Sequence, residues 1–272
     1  MKTVQSKILI AFIIVFFIIG FSTSAKSFFD TSSPDDSEPV TTTQPGMAAN
    51  PIAVAYPDAL QGARAHTLDF VQSFSQKQRD YIIYIFKKGQ RFFPTATSIL
   101  GKYDLPLELQ MIPVLESEFD PNAVSHAGAV GYWQFMGELA REYGLKIDGK
   151  YDERRNFSRS TTAAARFFRD QMQTFDNKLL LCVASYNCGP GRVQLAIKKS
   201  GIPDPSYWDI REYLPLETRK FVMNFVAFNV IAANYEKFLD NTMDFTAPPY
   251  ISIQPLDNAP GTGNDSCGVR AL

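Results

Sequence analysis

The chain has 272 residues, of which 45% are hydrophobic and 20% are charged, a composition typical of a globular domain rather than of a disordered or fibrous protein. Its 27 basic and 28 acidic residues leave a net charge of -1, which gives no indication of a nucleic-acid-binding surface. Three cysteines without Cys-x-x-Cys spacing and only two histidines argue against a zinc site and against a His-based triad. We therefore expect chemistry without a metal ion.

The first 25 residues have the features of an export signal. Lys2 and Lys7 precede an apolar run at 8–21, and Thr23 and Ala25 follow as small residues suited to a cleavage site. The run has 14 residues, fewer than the about 20 that span a bilayer comfortably. A cleaved signal peptide and an uncleaved membrane anchor both fit this pattern, and either predicts that the rest of the chain is exported.

The remaining chain divides by composition into a spacer, a domain and a tail. Residues 26–57 are rich in Ser, Thr, Pro and Asp, and residues 247–272 are rich in Pro and Gly, so both segments are predicted to be flexible. Residues 58–246 are predicted to form the folded domain. Apolar residues in this domain recur with the helical period, whereas alternating strand patterns are scarce, and this predicts a mainly α-helical fold.

The helical period is clearest in four stretches, at 70–86, at 164–175, at 179–186 and at 215–239. Ser158 or Ser160 is predicted to cap the helix that contains 164–175. Pro190 suits the first turn of a further helix, which follows the stretch at 179–186.

The segment at 107–117 contains the first candidate for chemistry. If it is helical, Leu109, Ile112 and Glu116 fall on one face, which places a carboxyl group among apolar side chains. Burial would raise the pKa of Glu116 and let it act as a general acid. A solvated glutamate at a helix end fits the pattern equally well, and Pro113 weakens the helix prediction.

A glycine-rich stretch follows Glu116. Gly128 and Gly131 allow close backbone approach, and Trp133, Gln134 and Met136 are predicted to lie on a helix after them. An aromatic ring, an amide and glycines beside an acid suit the binding of a sugar, although this signal is weak by itself.

Several blocks of the sequence, taken together, resemble the soluble-lytic-transglycosylase-like family of lytic murein transglycosylases, and most closely its D branch. The similarity extends over about residues 80–235. Each block is moderately specific alone, and the full set in this order is highly specific. The blocks are Glu-Ser-x-Phe-Asp-Pro-x-Ala-x-Ser-x-Ala-Gly-Ala-x-Gly-x-Trp-Gln-Phe-Met at 116–136, Tyr-Gly-Leu at 143–145, Asp-Glu-Arg-Arg at 152–155, Ala-Ser-Tyr-Asn-Cys-Gly-Pro-Gly-Arg-Val at 184–193 and Leu-Pro-Leu-Glu-Thr-Arg at 214–219.

The resemblance implies a lysozyme-like, mainly α-helical fold and an enzyme of the bacterial periplasm or cell envelope. Family members cut the β-1,4 bond between N-acetylmuramic acid and N-acetylglucosamine in peptidoglycan and leave 1,6-anhydro ends. One glutamate serves as acid and then as base, without a cofactor. For this chain we accordingly expect a monomer whose partner is the glycan strand, with a membrane contact through residues 8–21 if that segment is retained.

The resemblance also implies roles for individual residues. Glu116 corresponds to the catalytic acid and base, and Ser125 to a residue that positions the acetamido sugar. Gln134 and Met136 correspond to groove-lining positions, and Tyr186 and Asn187 to positions near the scissile bond. Glu217 and Arg219 correspond to positions deeper in the groove, although a structural ion pair is an equally weighted interpretation.

Two other functions remain open. A hydrolytic lysozyme or chitinase on the same fold would need a second carboxylate near Glu116, and Glu118 and Asp120 are the nearest in sequence. A non-catalytic peptidoglycan-binding protein would have no need for a buried acid. The chain also departs from the family pattern, because Gly137-Glu138-Leu139 stands where Pro-Gly-Thr is common, which puts the sugar preference of the groove in doubt.

Overall fold

The computed structural model describes residues 52–246, which form a mainly α-helical domain as predicted. The predicted signal segment, most of the predicted linker and the predicted tail lie outside the described residues. Among residues 52–246, no helix is both long and apolar enough to cross a bilayer.

The α-helices are α1 (Arg64–Lys77), α2 (Arg79–Gly89), α3 (Phe93–Gly101), α4 (Ile112–Ser117), α5 (Gly137–Glu142), α6 (Phe157–Thr174), α7 (Leu179–Cys188), α8 (Pro190–Ser200), α9 (Tyr207–Ile210), α10 (Leu216–Ala233) and α11 (Tyr235–Leu239).

Short elements connect and flank these helices. Four 3-10 helices occur in the described chain, at Asp58–Ala63, Leu107–Met111, Glu153–Arg155 and Arg211–Tyr213. Two short strands, β1 (Ile52–Ala53) and β2 (Met243–Asp244), pair in parallel with Ile52 opposite Met243.

Helices α7 and α10 form the centre of the domain. Eight of the ten residues of α7 are buried, and α10 is buried at nine positions, including Val222, Phe225 and Ile231. A helix that is apolar on most sides must be surrounded by other elements. Helix α10 accordingly packs against α1, α4 and α7, so the two central helices reach the segment that carries Glu116.

The residue that caps α6 lies two positions before Ser158 and four before Ser160, the two caps that the sequence predicts. The Asn156 Oδ1 atom accepts a hydrogen bond of 3.0 Å from the Arg159 backbone N–H and therefore caps the helix. The prediction of Ser158 or Ser160 as the cap is wrong, because both lie inside the first turn. The buried Ser160 hydroxyl donates instead to the backbone carbonyl of Asn156, at 2.7 Å.

The helix predicted at 215–239 is interrupted at Asn234. The Asn234 Nδ2 atom donates to the carbonyls of Val230 (2.6 Å) and Ala55 (2.7 Å), and Oδ1 accepts from the Ala55 N–H (2.9 Å). This buried side chain therefore pairs with a distant backbone, and α10 ends one residue before it. Apolar periodicity continues across the break, which explains why the sequence pattern predicts one helix.

Residues 52–57, which composition assigns to the linker, pack against the domain that was predicted to begin at 58. Val54 and Tyr56 are buried, and the Tyr56 hydroxyl shares a 3.0 Å hydrogen bond with the Thr67 hydroxyl on α1. The Arg64 guanidinium donates to the Val54 carbonyl. Two buried side chains and several hydrogen bonds therefore tie this short segment to the helices.

Candidate active site

Glu116 lies in the last turn of α4, one residue before the helix ends. The segment at 107–117 is not the single helix that was predicted, because a 3-10 helix at Leu107–Met111 precedes α4. Pro113 explains the division, since proline lacks a backbone N–H and is tolerated in the first turn of a new helix. Leu109 and Ile112 are fully buried, as the shared-face prediction requires.

The end of α4 is sharply defined. Glu118 and Phe119 both have left-handed backbone conformations, with φ of 51° and 58°. Their N–H groups donate to the carbonyls of Val114 (3.1 Å) and Pro113 (3.2 Å), which closes the helix. Phe119 is buried and stacks on Phe92 with ring centroids 4.7 Å apart. The backbone beside Glu116 is therefore fixed by hydrogen bonds and by packing.

The loop at 131–134 connects Glu116 to Tyr186. The Ser117 hydroxyl donates to the Tyr132 carbonyl at 2.8 Å, and the Tyr186 hydroxyl on α7 donates to the Trp133 carbonyl at 2.5 Å. Burial raises the pKa of Tyr186 well above its ordinary value, and the nearby Glu116 charge contributes to the increase. The structure thus brings together Glu116 and Tyr186, which lie seventy positions apart in the sequence.

The prediction of a helix at 133–136 is wrong. Gly131 and Gln134 have positive φ values of 79° and 48°, which a helix cannot contain, and α5 begins only at Gly137. The Gln134 Nε2 atom donates to the carbonyls of Gly131 (2.9 Å) and Ala123 (3.2 Å), so this amide stabilises the loop. Trp133 is fully buried, and its indole N–H donates to the Thr161 hydroxyl on α6.

Arg154 holds this loop from the opposite side. Its guanidinium Nη1 donates to the carbonyls of Phe135 (3.1 Å) and Gly128 (3.3 Å), while Nε and Nη2 bind both oxygens of Asp152 at 2.9 and 2.8 Å. The two backbones approach so closely that a Cβ atom on Gly131 would lie 2.2 Å from the Arg154 carbonyl oxygen. Nothing in the local sequence pattern indicates that Arg154 is buried, so its role in holding the loop could not be predicted.

The electrostatic state of Glu116 follows from its surroundings. Burial raises the pKa of its carboxyl from 4.5 to about 8, and no other charged group contributes to the shift. The residue is nevertheless only half-buried by exposed area. A carboxylic acid that stays protonated at neutral pH and still reaches solvent is suited to proton donation. The structure therefore favours the buried-acid interpretation of Glu116 over that of a solvated helix-end residue.

The two nearest acids in the sequence are engaged elsewhere. The Glu118 carboxylate accepts a 3.0 Å hydrogen bond from the Tyr81 hydroxyl on α2. The Asp120 carboxylate accepts from the Asn122 backbone N–H at 2.8 Å and closes the turn after α4. Neither acid contributes to the pKa shift of Glu116. A hydrolytic mechanism that requires a second carboxylate finds no support at these two positions.

The pKa of Glu116 predicts how stability depends on pH. Because the folded-state pKa exceeds the unfolded value of 4.5, the folded chain binds more protons between pH 4.5 and about 8. Stability from this group therefore falls through that window, and the loss is complete above it. Glu116→Gln removes the effect, so we expect the variant to equal the parent near about pH 4 and to exceed it by a few kcal/mol near about pH 9. Thermal unfolding of both proteins across pH tests this, and a difference that does not change with pH would contradict it.

The remaining predicted residues lie around the loop and at the end of α7. The Ser125 Oγ atom accepts from the Ala129 N–H at 3.0 Å, which closes a turn at the outer end of the loop. Met136 is half-buried and precedes α5. The Asn187 Oδ1 atom accepts from the buried Thr218 hydroxyl at 2.8 Å, which joins α7 to α10. The predicted substrate contacts of these residues stay predictions.

The structure does not pair Glu217 with Arg219. Arg219 forms an ion pair with Glu212 instead, so the structural ion-pair interpretation of residues 217 and 219 is wrong. Both residues lie in the first turn of α10, where their side chains point in different directions. Glu217 is half-buried, and desolvation raises its pKa while Lys220 opposes the shift.

Part of the chain matches a family model. Residues 98–208 match the family described as Transglycosylase SLT domain. This range contains Glu116, the loop at 131–134, Arg154 and Tyr186. This match agrees with the resemblance of the chain's motifs to the same family.

Parts of the chain are similar to individual known proteins. The chain is 35% identical over 164 residues to membrane-bound lytic murein transglycosylase D of Escherichia coli K12, a match that covers 60% of this chain and 36% of the relative. It is 31% identical over 142 residues to a putative tributyltin chloride resistance protein of Alteromonas sp. M-1, covering 52% and 62% of the two chains. A crystal structure of an inactive mutant of the lytic transglycosylase Slt from Pseudomonas aeruginosa aligns with a TM-score of 0.47 at 21% identity, covering 68% of this chain and 33% of that one. The chain thus spans about a third of the length of the first of these relatives.

Proposed function

We propose that this protein is a lytic transglycosylase that cleaves the β-1,4 bond between N-acetylmuramic acid and N-acetylglucosamine in peptidoglycan. The observation that carries the proposal is the state of Glu116. Its carboxyl is protonated at neutral pH through burial alone and lies within the stretch that matches the SLT family. The sequence similarity to an E. coli enzyme named membrane-bound lytic murein transglycosylase D supports the same substrate.

The proposed reaction uses Glu116 twice. The protonated carboxyl first donates its proton to the glycosidic oxygen, so the C1–O4 bond breaks and N-acetylglucosamine leaves with a free hydroxyl. The resulting Glu116 carboxylate then accepts the proton of the muramic C6 hydroxyl, whose oxygen bonds to C1 and closes a 1,6-anhydro ring. The proton returns to Glu116, and no water is consumed.

We assign supporting roles around this acid. The Tyr186 hydroxyl donates to the Trp133 carbonyl, and the Ser117 hydroxyl donates to the Tyr132 carbonyl, so both fix the loop beside Glu116. Ser125, Gln134, Met136 and Asn187 are proposed to contact the glycan, and Glu217 and Arg219 to contact it further along the groove. The proposed site of action is the bacterial cell envelope.

Mass spectrometry of fragments released from purified peptidoglycan sacculi tests the proposal. Muropeptides ending in 1,6-anhydro-N-acetylmuramic acid, absent when Glu116 is replaced by Gln, are the expected result. Products with reducing ends, heavier by one water, would establish a hydrolase instead. Failure of the parent protein to release any product, combined with retained binding to sacculi, would support a non-catalytic peptidoglycan-binding protein.

A further inference from the structure

A carboxylate held between two arginines lies just before the first turn of α10. Glu212 contacts Arg211 through Nε, at 3.2 Å, and forms an ion pair with Arg219 through Nη1. We call these three residues the arginine fork. The side chains of Arg211 and Arg219 are 32% and 25% exposed, whereas that of Glu212 is 68% exposed. The two arginine side chains are therefore packed against the domain, whereas the Glu212 side chain is mostly in solvent and is the more easily displaced partner.

The fork has more hydrogen-bond donors than Glu212 satisfies. Within the described chain, the buried Nε atoms of Arg211 and Arg219 and the hydroxyl of Tyr207 have no hydrogen-bond partner. The 3.2 Å contact of the Arg211 Nε with Glu212 is a contact between charges without hydrogen-bond geometry. Tyr207 is only 2% exposed, and both arginines influence its pKa, so its hydroxyl lies beside them. Buried donors without a partner each cost about 1–3 kcal/mol.

The fork adjoins the predicted glycan groove. Arg219 follows Thr218, whose hydroxyl binds Asn187, the residue after Tyr186. On the other side, the Arg211 guanidinium lies 5.8 Å from the centre of the Trp208 ring, which stacks on His66 with ring centroids 4.3 Å apart. The fork therefore lies between the end of α7 and the stacked rings of Trp208 and His66.

We propose that the arginine fork is a binding site for a carboxylate group of the substrate, and that Glu212 occupies it when no substrate is bound. Guanidinium groups bind carboxylates through charge-assisted hydrogen bonds, which are stronger than neutral ones, and their planar shape suits the two carboxylate oxygens. The inference rests on the proposed function, because peptidoglycan carries carboxylates on its peptide stems. In an intact strand the muramic lactyl carboxyl is joined to the stem by an amide bond, and removal of the stem frees it as a carboxylate. The experiment must therefore separate these two sources.

Binding is measured with the Glu116→Gln protein, so that no ligand is consumed. Three soluble ligands are compared: strands that carry stems, strands stripped by an amidase, and chitooligosaccharides, which have no carboxylate. We expect Arg211→Gln to weaken binding to stem-bearing strands by about 10-fold, the effect of losing one charged hydrogen bond. We expect Glu212→Gln to strengthen binding by several-fold, because it removes the competing anion. Chitooligosaccharide binding should not change with either substitution.

Arg159→Gln is the matched control, since Arg159 is 70% exposed and its Nε lies 3.9 Å from the carboxylate of its partner, Glu153. Effects confined to stem-bearing strands identify the stem as the source, and effects confined to stripped strands identify the lactyl group. Effects on both kinds of strand show that the fork accepts either carboxylate. Weaker or unchanged binding on Glu212→Gln, or equal effects on chitooligosaccharides, would overturn the proposal. Anhydro-product release by the parent protein is measured separately, so failure of the proposed function is distinguished from failure of the fork.

Discussion

Glu116→Gln will abolish the release of muropeptides from sacculi while leaving the domain folded. The substitution keeps the shape of the side chain but removes the proton that the glycosidic oxygen must receive. A general acid–base group typically contributes about 10²–10⁴-fold to the rate, and a group that performs both proton transfers will contribute at least that much. The measurement is the initial rate of anhydro-muropeptide release at neutral pH, with circular dichroism to verify the helical content.

Glu118→Gln is the matched control for this prediction. Glu118 is also a glutamate at the end of α4, but its carboxylate accepts from the Tyr81 hydroxyl and has no influence on the pKa of Glu116. We expect activity within a few-fold of the parent. A loss as large as that of Glu116→Gln would show that two carboxylates act together, and the single-acid mechanism would have to be abandoned for a hydrolytic one.

Arg154→Met will strongly destabilise the domain. The substitution leaves the Asp152 carboxylate and the carbonyls of Gly128 and Phe135 without their donor, in surroundings where the Arg154 side chain is only 10% exposed. Breaking a buried pair by removing one partner costs about 3–5 kcal/mol. Denaturant unfolding at neutral pH measures this loss as a change in the free energy of unfolding.

Arg155→Met provides the comparison. Arg155 is the next residue and also donates to a backbone carbonyl, that of Pro121 at 2.9 Å, but its side chain is 37% exposed. Water can replace its contacts, so we expect a loss of about 1 kcal/mol or less. Equal losses for the two variants would mean that Arg154 does not support the loop beside Glu116 in the way proposed.

The sequence predicts the helical scaffold because amphipathic periodicity and buried apolar residues determine it. The stretch at 70–86 falls largely within α1 and α2 and the stretch at 164–175 largely within α6, as periodicity predicts, and α8 begins at Pro190 as the preference of proline for a first helical turn predicts. The error at the end of α10 arises where a side chain bonds to a distant backbone. Asn234 ends α10 by pairing with Ala55, a residue 179 positions away, and no local pattern contains that information.

The candidate site is less predictable from the sequence than the helical scaffold is. Glu116 can be selected from the sequence because it shares a helical face with Leu109 and Ile112. Its burial depends on α7 and the loop at 131–134, whose positions the local sequence pattern does not show. The loop itself was mistaken for a helix because Gln134 adopts a positive φ that its residue type does not indicate. The supporting role of Arg154 and the sharing of Glu212 between two arginines depend entirely on the tertiary structure.

The pairing of Ala55 with Asn234 bears on the order in which this chain folds. Contacts between residues so far apart close a long loop, whose entropic cost must be met before the contact contributes anything. A ribosome also makes Ala55 long before Asn234, so residues 52–57 can contact α1 early but lack Asn234 until nearly the whole domain has been synthesised. The hydrogen bonds between Ala55 and Asn234 are therefore among the last contacts that the domain completes. They fix a segment that already lies beside α1, and they follow rather than direct the assembly of that helix.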